Sequence, residues 1–254
     1  MKKITIVIIS IVFCSTFAKG QKDKMFYADL TTASSSIWHG WDININNGPV
    51  IHPYLEYAIP KTDFSLAAWA SLPTDRNLSF NDDIEFFLKY NKEALKKKRF
   101  AIKLNSFIDY VVCPNVKMAT TDGSSKTKML WKYNLGITFT NLVKIANSPV
   151  IPAYNMYYIR PFGSIDFTDG TIHECSLFYT IPVLSRIKIG STVNYHTGVF
   201  DGGSGWTHAT SHISSSLKVK AVKLSAAINK QWSFNQRNDI EDEFWFSLGI
   251  SSKF

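Results

Sequence analysis

The last residues of the chain, 243–254, alternate between two kinds of side chain. Phe244, Phe246, Leu248 and Ile250 occupy every second position, and mostly small or polar residues lie between them. A β-strand points successive side chains to opposite faces, so this segment has one apolar and one polar face. In a membrane barrel the apolar face contacts lipid. In a soluble barrel or sandwich the same face is buried.

About twelve segments with this period of two follow one another after residue 20, and no long segment has helical periodicity. Their apolar bands run about nine to eleven residues, which is enough to cross a bilayer at barrel tilt. Aromatic residues end several bands, as Trp131, Tyr133 and Phe139 show. Such aromatic girdles are typical of membrane barrels, as are connections that alternate between short and long. We therefore predict an all-β fold, a transmembrane antiparallel up-and-down β-barrel of about 12 strands, with a soluble lipocalin-like barrel as the alternative.

The first twenty residues have the pattern of a secretory signal peptide. Lys2 and Lys3 precede an apolar run from residue 4 to 13, and Ala18 and Gly20 are small residues at cleavage spacing. The run is too short to cross a membrane as a helix. An exported chain without a longer apolar run can span a membrane as a closed barrel. We predict a cleaved signal peptide, 1–20, an outer-membrane β-barrel domain, 21–254, and the bacterial outer membrane as the location.

Charge and cysteine content exclude several classes of function. The net charge is +8 for the whole chain and +5 for residues 21–254, because residues 1–20 hold three lysines and no acid. No dense Lys/Arg face accompanies this mild charge, so we expect no nucleic-acid partner. No zinc-type His/Cys cluster, phosphate loop or nucleotide fingerprint is present, so we expect no cofactor and no metal. Cys113 and Cys175 fall on opposite strand faces, and we expect no disulfide between them.

Four stretches near the N-terminus resemble the TorF-type porin family of bacterial outer membranes. They are 34–40 (Ser-Ser-Ser-Ile-Trp-His-Gly), 48–57, 64–71 and 83–90. Their order and spacing are similar to those of the family's first four strands, and 34–40 resembles its opening strand. His39 stands where the family pattern leads us to expect Arg. The resemblance implies a porin-like barrel and names no substrate.

The polar strand faces predict a lumen that carries charge, with acids toward the outer mouth and lysines toward the periplasm. Rings of charged side chains set the selectivity of a pore, and twelve strands predict a narrow bore. We predict a porin-like channel for passive diffusion of small hydrophilic solutes. The candidates for lining its lumen are His52, Glu56, Glu85, Lys103, Asp109, Lys132, Glu174, Lys188 and Asn229.

Two alternatives to a channel remain open. One is a plugged barrel with a structural or surface-interaction role. The other is an outer-membrane acyl hydrolase, because His212 and Ser214 have the spacing of a base and its nucleophile on one strand. We favour a protein that is not an enzyme. The expected partners are outer-membrane lipid, small hydrophilic solutes and the barrel-assembly machinery, which would read the C-terminal strand ending at Phe254.

Overall fold

The computed structural model describes residues 25–42, 48–74, 83–97, 100–119, 125–162, 168–182, 184, 186–199, 202–234 and 240–254. The predicted signal peptide, 1–20, lies outside these residues. No helix within the described ranges has the length and apolar character needed to cross a membrane. The strands are β1 Phe26–Ala33, β2 Ile37–Trp38, β3 Trp41–Asp42, β4 Val50–Ala58, β5 Phe64–Pro73, β6 Asp83–Lys96, β7 Ala101–Ala119, β8 Ser125–Thr140, β9 Val143–Ile145, β10 Ser148–Pro161, β11 Gly170–Thr180, β12 Ile187–Thr197, β13 Gly205–Val219, β14 Val222–Ser233 and β15 Phe244–Lys253.

The described strands other than β2, β3 and β9 form one closed antiparallel sheet. Each of these twelve strands pairs with the next along the chain, and β15 pairs with β1. Closure leaves no unpaired sheet edge, which is the condition for a β-structure to span lipid. The predicted all-β, up-and-down transmembrane barrel of about twelve strands is therefore confirmed.

The polarity of the wall is apolar outside and polar inside. Leu135 is 57 % exposed and Phe246 is 53 % exposed, whereas Asp109 is 0 % and Lys132 is 5 % exposed. A soluble barrel requires the reverse arrangement, because its apolar face must leave water. The lipocalin-like alternative is therefore excluded, and the outer surface is the lipid-facing band of a membrane barrel.

The two ends of the described chain meet at one end of the barrel, here called the terminal end; the opposite end is called the loop end. Phe26 and Phe254 exchange two backbone hydrogen bonds of 2.8 Å each. Their rings also stack, with centroids 6.0 Å apart. This seam joins the first and last barrel strands and closes the cylinder.

One of the long connections that the sequence pattern predicts is largely strand in the structure. The stretch from Cys113 to Lys126 contains several turn-forming residues of the types Asn, Asp, Gly and Ser, and the sequence predicts a long connection there, but β7 continues to Ala119 and β8 begins at Ser125. The pairing shifts between Cys113 and Lys117, so the strand bulges where Pro114 lies. Proline cannot donate to a β-ladder and is tolerated at such bulges. Cys113 is buried and Cys175 is exposed, and no disulfide joins them.

Candidate functional site

Strand pairing places the nine candidate lumen residues on the inner face of the wall. Asp109 faces Lys132 across β7 and β8, so both side chains point to the same face of the sheet. Cross-strand partners identify the inner face of every other strand in the same way. Their cross-strand partners are Tyr27 for Glu56, Val111 for Glu85, Thr138 for Lys103, Asn194 for Glu174, Ser214 for Lys188, His212 for Asn229 and Thr31 for His52. Whether these side chains contact a solute stays a prediction.

Lys132 forms a buried charge cluster with two carboxylates. Its Nζ lies 2.8 Å from Asp109 Oδ2 and 3.1 Å from Glu85 Oε2. The rings of Trp38, Phe87 and Phe107 lie within 6.0 Å of the same ammonium. An unpaired charge is expensive away from water, so each partner depends on the others. Glu85, a candidate for lining the lumen toward the outer mouth, lies inside this cluster at 4 % exposure.

A short hairpin, formed by β2 and β3, follows the first barrel strand. Ile37 pairs with Asp42 and Trp38 with Trp41. His39 and Gly40, between them, both have positive φ, 46° and 103°. Two consecutive residues with positive φ are the signature of the type I′ turn. The expectation that 34–40 forms the opening strand is therefore wrong: β1, Phe26–Ala33, opens the barrel, and 34–40 leads into the hairpin.

The hairpin (37–42) crosses the lumen. Just before it, Ser36 Oγ lies 3.4 Å from His52 Nε2 on β4 and 3.2 Å from Ser71 Oγ on β5. At its tip, His39 Nδ1 lies 3.0 Å from Glu174 Oε1 on β11. In the circular order of strands, β11 lies about halfway round the barrel from β4 and β5. The segment is thus anchored to opposite walls.

Further contacts hold the tip of the hairpin. Gln231 Nε2 on β14 donates a 2.8 Å hydrogen bond to the Gly40 carbonyl. The Tyr157 hydroxyl donates to Glu174 Oε2 at 3.1 Å, which orients the partner of His39. A Cβ at Gly40 would lie 2.6 Å from the His208 ring, so only glycine fits against that wall. Sequence patterns alone did not select Gln231, His208 or Gly40 as site residues.

Apolar side chains fill the lumen around the hairpin. Trp38, Trp41 and Tyr157 pack against a buried cluster whose members are Val111, Cys113, Leu130, Ile159, Ile172 and Val199. Trp41 also lies 5.0 Å from the His196 ring, measured between centroids. Ile159, Ile172 and Val199 are each 0 % exposed. The loop half of the lumen is therefore a packed core that includes the hairpin.

The terminal half of the lumen is more polar and more open. Lys89 Nζ lies 2.6 Å from Glu56 Oε2, and Ser65 donates to the other Glu56 oxygen at 2.7 Å. Tyr54 donates a short hydrogen bond to the same carboxylate. Lys103 and Lys188 are exposed although they lie on the inner face. Exposure of inward-facing lysines means that water reaches this half of the lumen.

The residues of the hydrolase hypothesis also lie on the inner face. His212 pairs with Asn229 and Ser214 with Ala227 across β13 and β14. The His212 ring contacts Phe178, with centroids 5.9 Å apart. Within the described residues no hydrogen bond joins His212 to Ser214, and both lie on the face opposite the lipid band. The geometry therefore does not assemble a nucleophile and its base beside a lipid substrate.

Within the described part of the chain, no group of three or more His, Cys, Asp or Glu side chains is arranged to hold a metal ion.

Comparison with known proteins identifies similar barrels among solved structures. The KdgM porin has a TM-score of 0.52 at 12 % identity, over 90 % of this chain and 99 % of that one. The COG4313 outer-membrane channel from Pseudomonas putida F1 has a TM-score of 0.53 at 9 % identity, over 92 % and 97 %. The NanC porin has a TM-score of 0.52 at 9 % identity, over 89 % and 100 %.

No family model matches the sequence, and no curated protein matches it. The TorF-type assignment therefore stays a prediction. At identities this low, similarity to the three solved structures establishes a shared fold and nothing about substrate. The chain has the barrel fold that outer-membrane porins and channels also adopt.

Proposed function

We propose that this protein is a porin-like channel of the bacterial outer membrane that passes small hydrophilic solutes by passive diffusion. One observation carries the proposal: a membrane-type barrel encloses a polar lumen whose terminal half is reached by water, as the exposed Lys103 and Lys188 show. Three solved structures of the same fold are outer-membrane channels by name.

The proposed orientation places the terminal end in the periplasm. Barrels of this type carry both termini and their shorter turns on that side, with longer loops outside. The hairpin then lies in the outer half and sets the narrowest part of the path. The terminal half selects solutes by size and charge. Their passage through the outer half requires the hairpin to move.

The decisive experiment is planar-bilayer conductance of the folded protein and of a variant in which 37–42 is replaced by Gly-Ser-Gly. We expect discrete current steps, larger or more frequent in the variant, because the hairpin and its two tryptophans leave the path. A heat-dependent gel shift and a sheet-type circular dichroism spectrum establish that both proteins are folded. Absence of steps from both proteins contradicts the channel.

The packed loop half favours a second candidate, a plugged barrel with a structural or surface-interaction role. Liposome swelling separates the two candidates, because a channel admits a pentose faster than a disaccharide and a plug admits neither. If liposomes swell with the hairpin variant and never with the parent, the plugged barrel is supported.

The same liposomes test the hydrolase alternative. We expect no fatty-acid release from the parent, and release that is lost in Ser214→Ala would contradict this.

Export and assembly follow from the same proposal. The signal peptide, 1–20, would be removed, so N-terminal sequencing of the mature protein should begin at Gln21. Membrane fractionation should recover the protein with the outer membrane. The barrel-assembly machinery would recognise the last strand, β15, with Phe254 at its end. Recovery of the protein with an intact N-terminus in the inner membrane contradicts this route.

A further inference from the structure

Four lysines line one wall of the terminal half of the lumen. We call Lys188, Lys218, Lys223 and Lys253 the lysine wall, and they lie on the consecutive strands β12, β13, β14 and β15. Lys218 and Lys223 face each other directly across β13 and β14. Lys223 faces Ser251, which lies two residues from Lys253 on the same strand face. Lys188 faces Ser214, four residues along β13 from Lys218.

The lysine wall lies at the terminal mouth of the barrel: Lys218 and Lys223 are one pair from the turn between β13 and β14, and Lys253 is the last residue of β15. The alternate positions beside it carry apolar side chains on the outer face, and Leu217, Val219 and Leu224 are 42 %, 48 % and 43 % exposed there. Leucine and valine at these positions suit contact with lipid, so the hydrophobic band continues outside the lysines. All four lysines are themselves exposed. They lie on the inner face of the wall, where solvent at the terminal mouth reaches them.

No acidic residue of these four strands neutralises the lysine wall. The strands β12 to β15, which are described throughout, contain no Asp and no Glu. Acids face the lumen from elsewhere: Glu56 on β4 is paired with Lys89, and Asp29 on β1 accepts hydrogen bonds from Tyr27 and Thr31. Like charges placed directly opposite on neighbouring strands destabilise a sheet. Asp29 faces Ser251, the neighbour of Lys223, but among the described residues no carboxylate forms an ion pair with Lys218 or Lys223, so their charge is available to anions from solution.

We propose that the lysine wall binds anions and makes the channel anion-selective, an inference that rests on the proposed channel function. The ligand class is small anions with a compact charge, such as chloride, phosphates and carboxylates of small organic acids. A low-dielectric wall around charges of one sign concentrates counter-ions in the enclosed water. The lysine wall contrasts with the loop half, where Glu85 and Asp109 are engaged by Lys132.

The first test is the reversal potential across a KCl gradient, measured in the background in which Gly-Ser-Gly replaces 37–42. The protein with this replacement and with all four lysines intact, the parent of this test, should be more permeable to chloride than to potassium. A local potential of about one kT concentrates anions and depletes cations enough to shift the permeability ratio roughly sevenfold. The K218Q/K223Q variant should move this ratio toward one, and added salt should weaken the preference because it screens the wall.

A matched control removes the same charge outside the lumen. Lys61 lies in an exposed turn at the terminal end, and Lys92 pairs with Asp63 on the outer surface, 3.6 Å apart. The K61Q/K92Q variant should keep the parent's selectivity. A parent that favours potassium overturns the inference, as does a K218Q/K223Q variant whose selectivity equals that of the parent.

A second measurement does not depend on conduction. Titration calorimetry of the folded protein in a zwitterionic detergent should detect inorganic pyrophosphate binding that is lost in K218Q/K223Q and kept in K61Q/K92Q. If current steps are absent while this binding is present, the channel proposal fails and the anion site stands. If both double variants bind pyrophosphate as the parent does, the anion site fails even where the channel conducts.

Discussion

Gly40 is the residue at which the hairpin depends most on backbone conformation. Its φ is 103°, and an added Cβ would lie 2.6 Å from the His208 ring. Gly40→Val therefore meets both a strained backbone and a buried ring, and we expect it to destabilise the folded protein by about 1–3 kcal/mol. Unfolding in guanidinium measures the loss. Gly203→Val is the matched control, because nothing lies within 4 Å of a Cβ there. Equal stability of the two variants contradicts a docked hairpin.

Lys132 is the residue on which the buried carboxylates depend. Lys132→Met leaves the carboxylates of Glu85 and Asp109 buried with no cation beside them, so we expect a loss of about 3–5 kcal/mol. Asp109→Asn retains the ion pair between Lys132 and Glu85 and removes one of two competing carboxylates, so its cost should be smaller. The two guanidinium midpoints compare them. If Asp109→Asn is the more damaging substitution, the ammonium is not the centre of the cluster.

Lys230 is a charged residue on the outer face of β14, where the alternating pattern of the strand predicts an apolar side chain. It interrupts the outer apolar face of β14, where a lysine costs about 2–4 kcal/mol at the bilayer midplane and less near the interface. Its Nζ lies 3.7 Å from Asp242 Oδ2, in the connection before β15. The lysine thus extends toward the loop end and finds a carboxylate there. The partner, not the strand pattern, accounts for this position.

The barrel strands could be predicted from the sequence because lipid outside and water inside impose a period of two on every one of them. This period of two is sufficient to assign each side chain to the inner or the outer face. It does not give the register between neighbouring strands, which decides which residues are in contact. The hairpin could not be predicted in this way. Its strands of two residues are too short to show a period, and its partners lie far along the chain: Glu174 is 135 residues from His39, and Gln231 is 191 residues from Gly40.

The seam between β1 and β15 has separate roles in stability and in assembly. Two backbone hydrogen bonds join Phe26 and Phe254, and these survive in a Phe254→Ser variant. Only the ring contact at 6.0 Å is lost, so stability after folding in detergent should fall by about 0.5–1.5 kcal/mol. Assembly in cells should fall much further if the machinery reads the terminal aromatic ring. The heat-modifiable fraction in outer membranes measures assembly, and a parallel fall of both quantities contradicts recognition of Phe254.

The whole molecule is a cylinder with two unlike halves, one packed around the hairpin and one open at the terminal end. A thiol in the open half should therefore react with a membrane-impermeant maleimide from one side of the membrane only. Ser216 lies on the inner face of β13, opposite Ser225, and its replacement leaves the lysine wall intact. Ser216→Cys is made with Cys113→Ser and Cys175→Ser, because Cys113 Sγ donates to Asp83 at 2.8 Å and serine keeps that bond.

In intact cells we expect little labelling of Ser216→Cys, because the hairpin and the apolar cluster block the outer half. Permeabilising the outer membrane should expose the open half and raise labelling strongly. Replacement of 37–42 should raise labelling in intact cells too, since the block then leaves the path. Lys61→Cys, in a turn outside the lumen, is the control and should react only after permeabilisation in either background. If Ser216→Cys with the native hairpin reacts as fast in intact cells as after permeabilisation, the outer half is open and the hairpin does not control access.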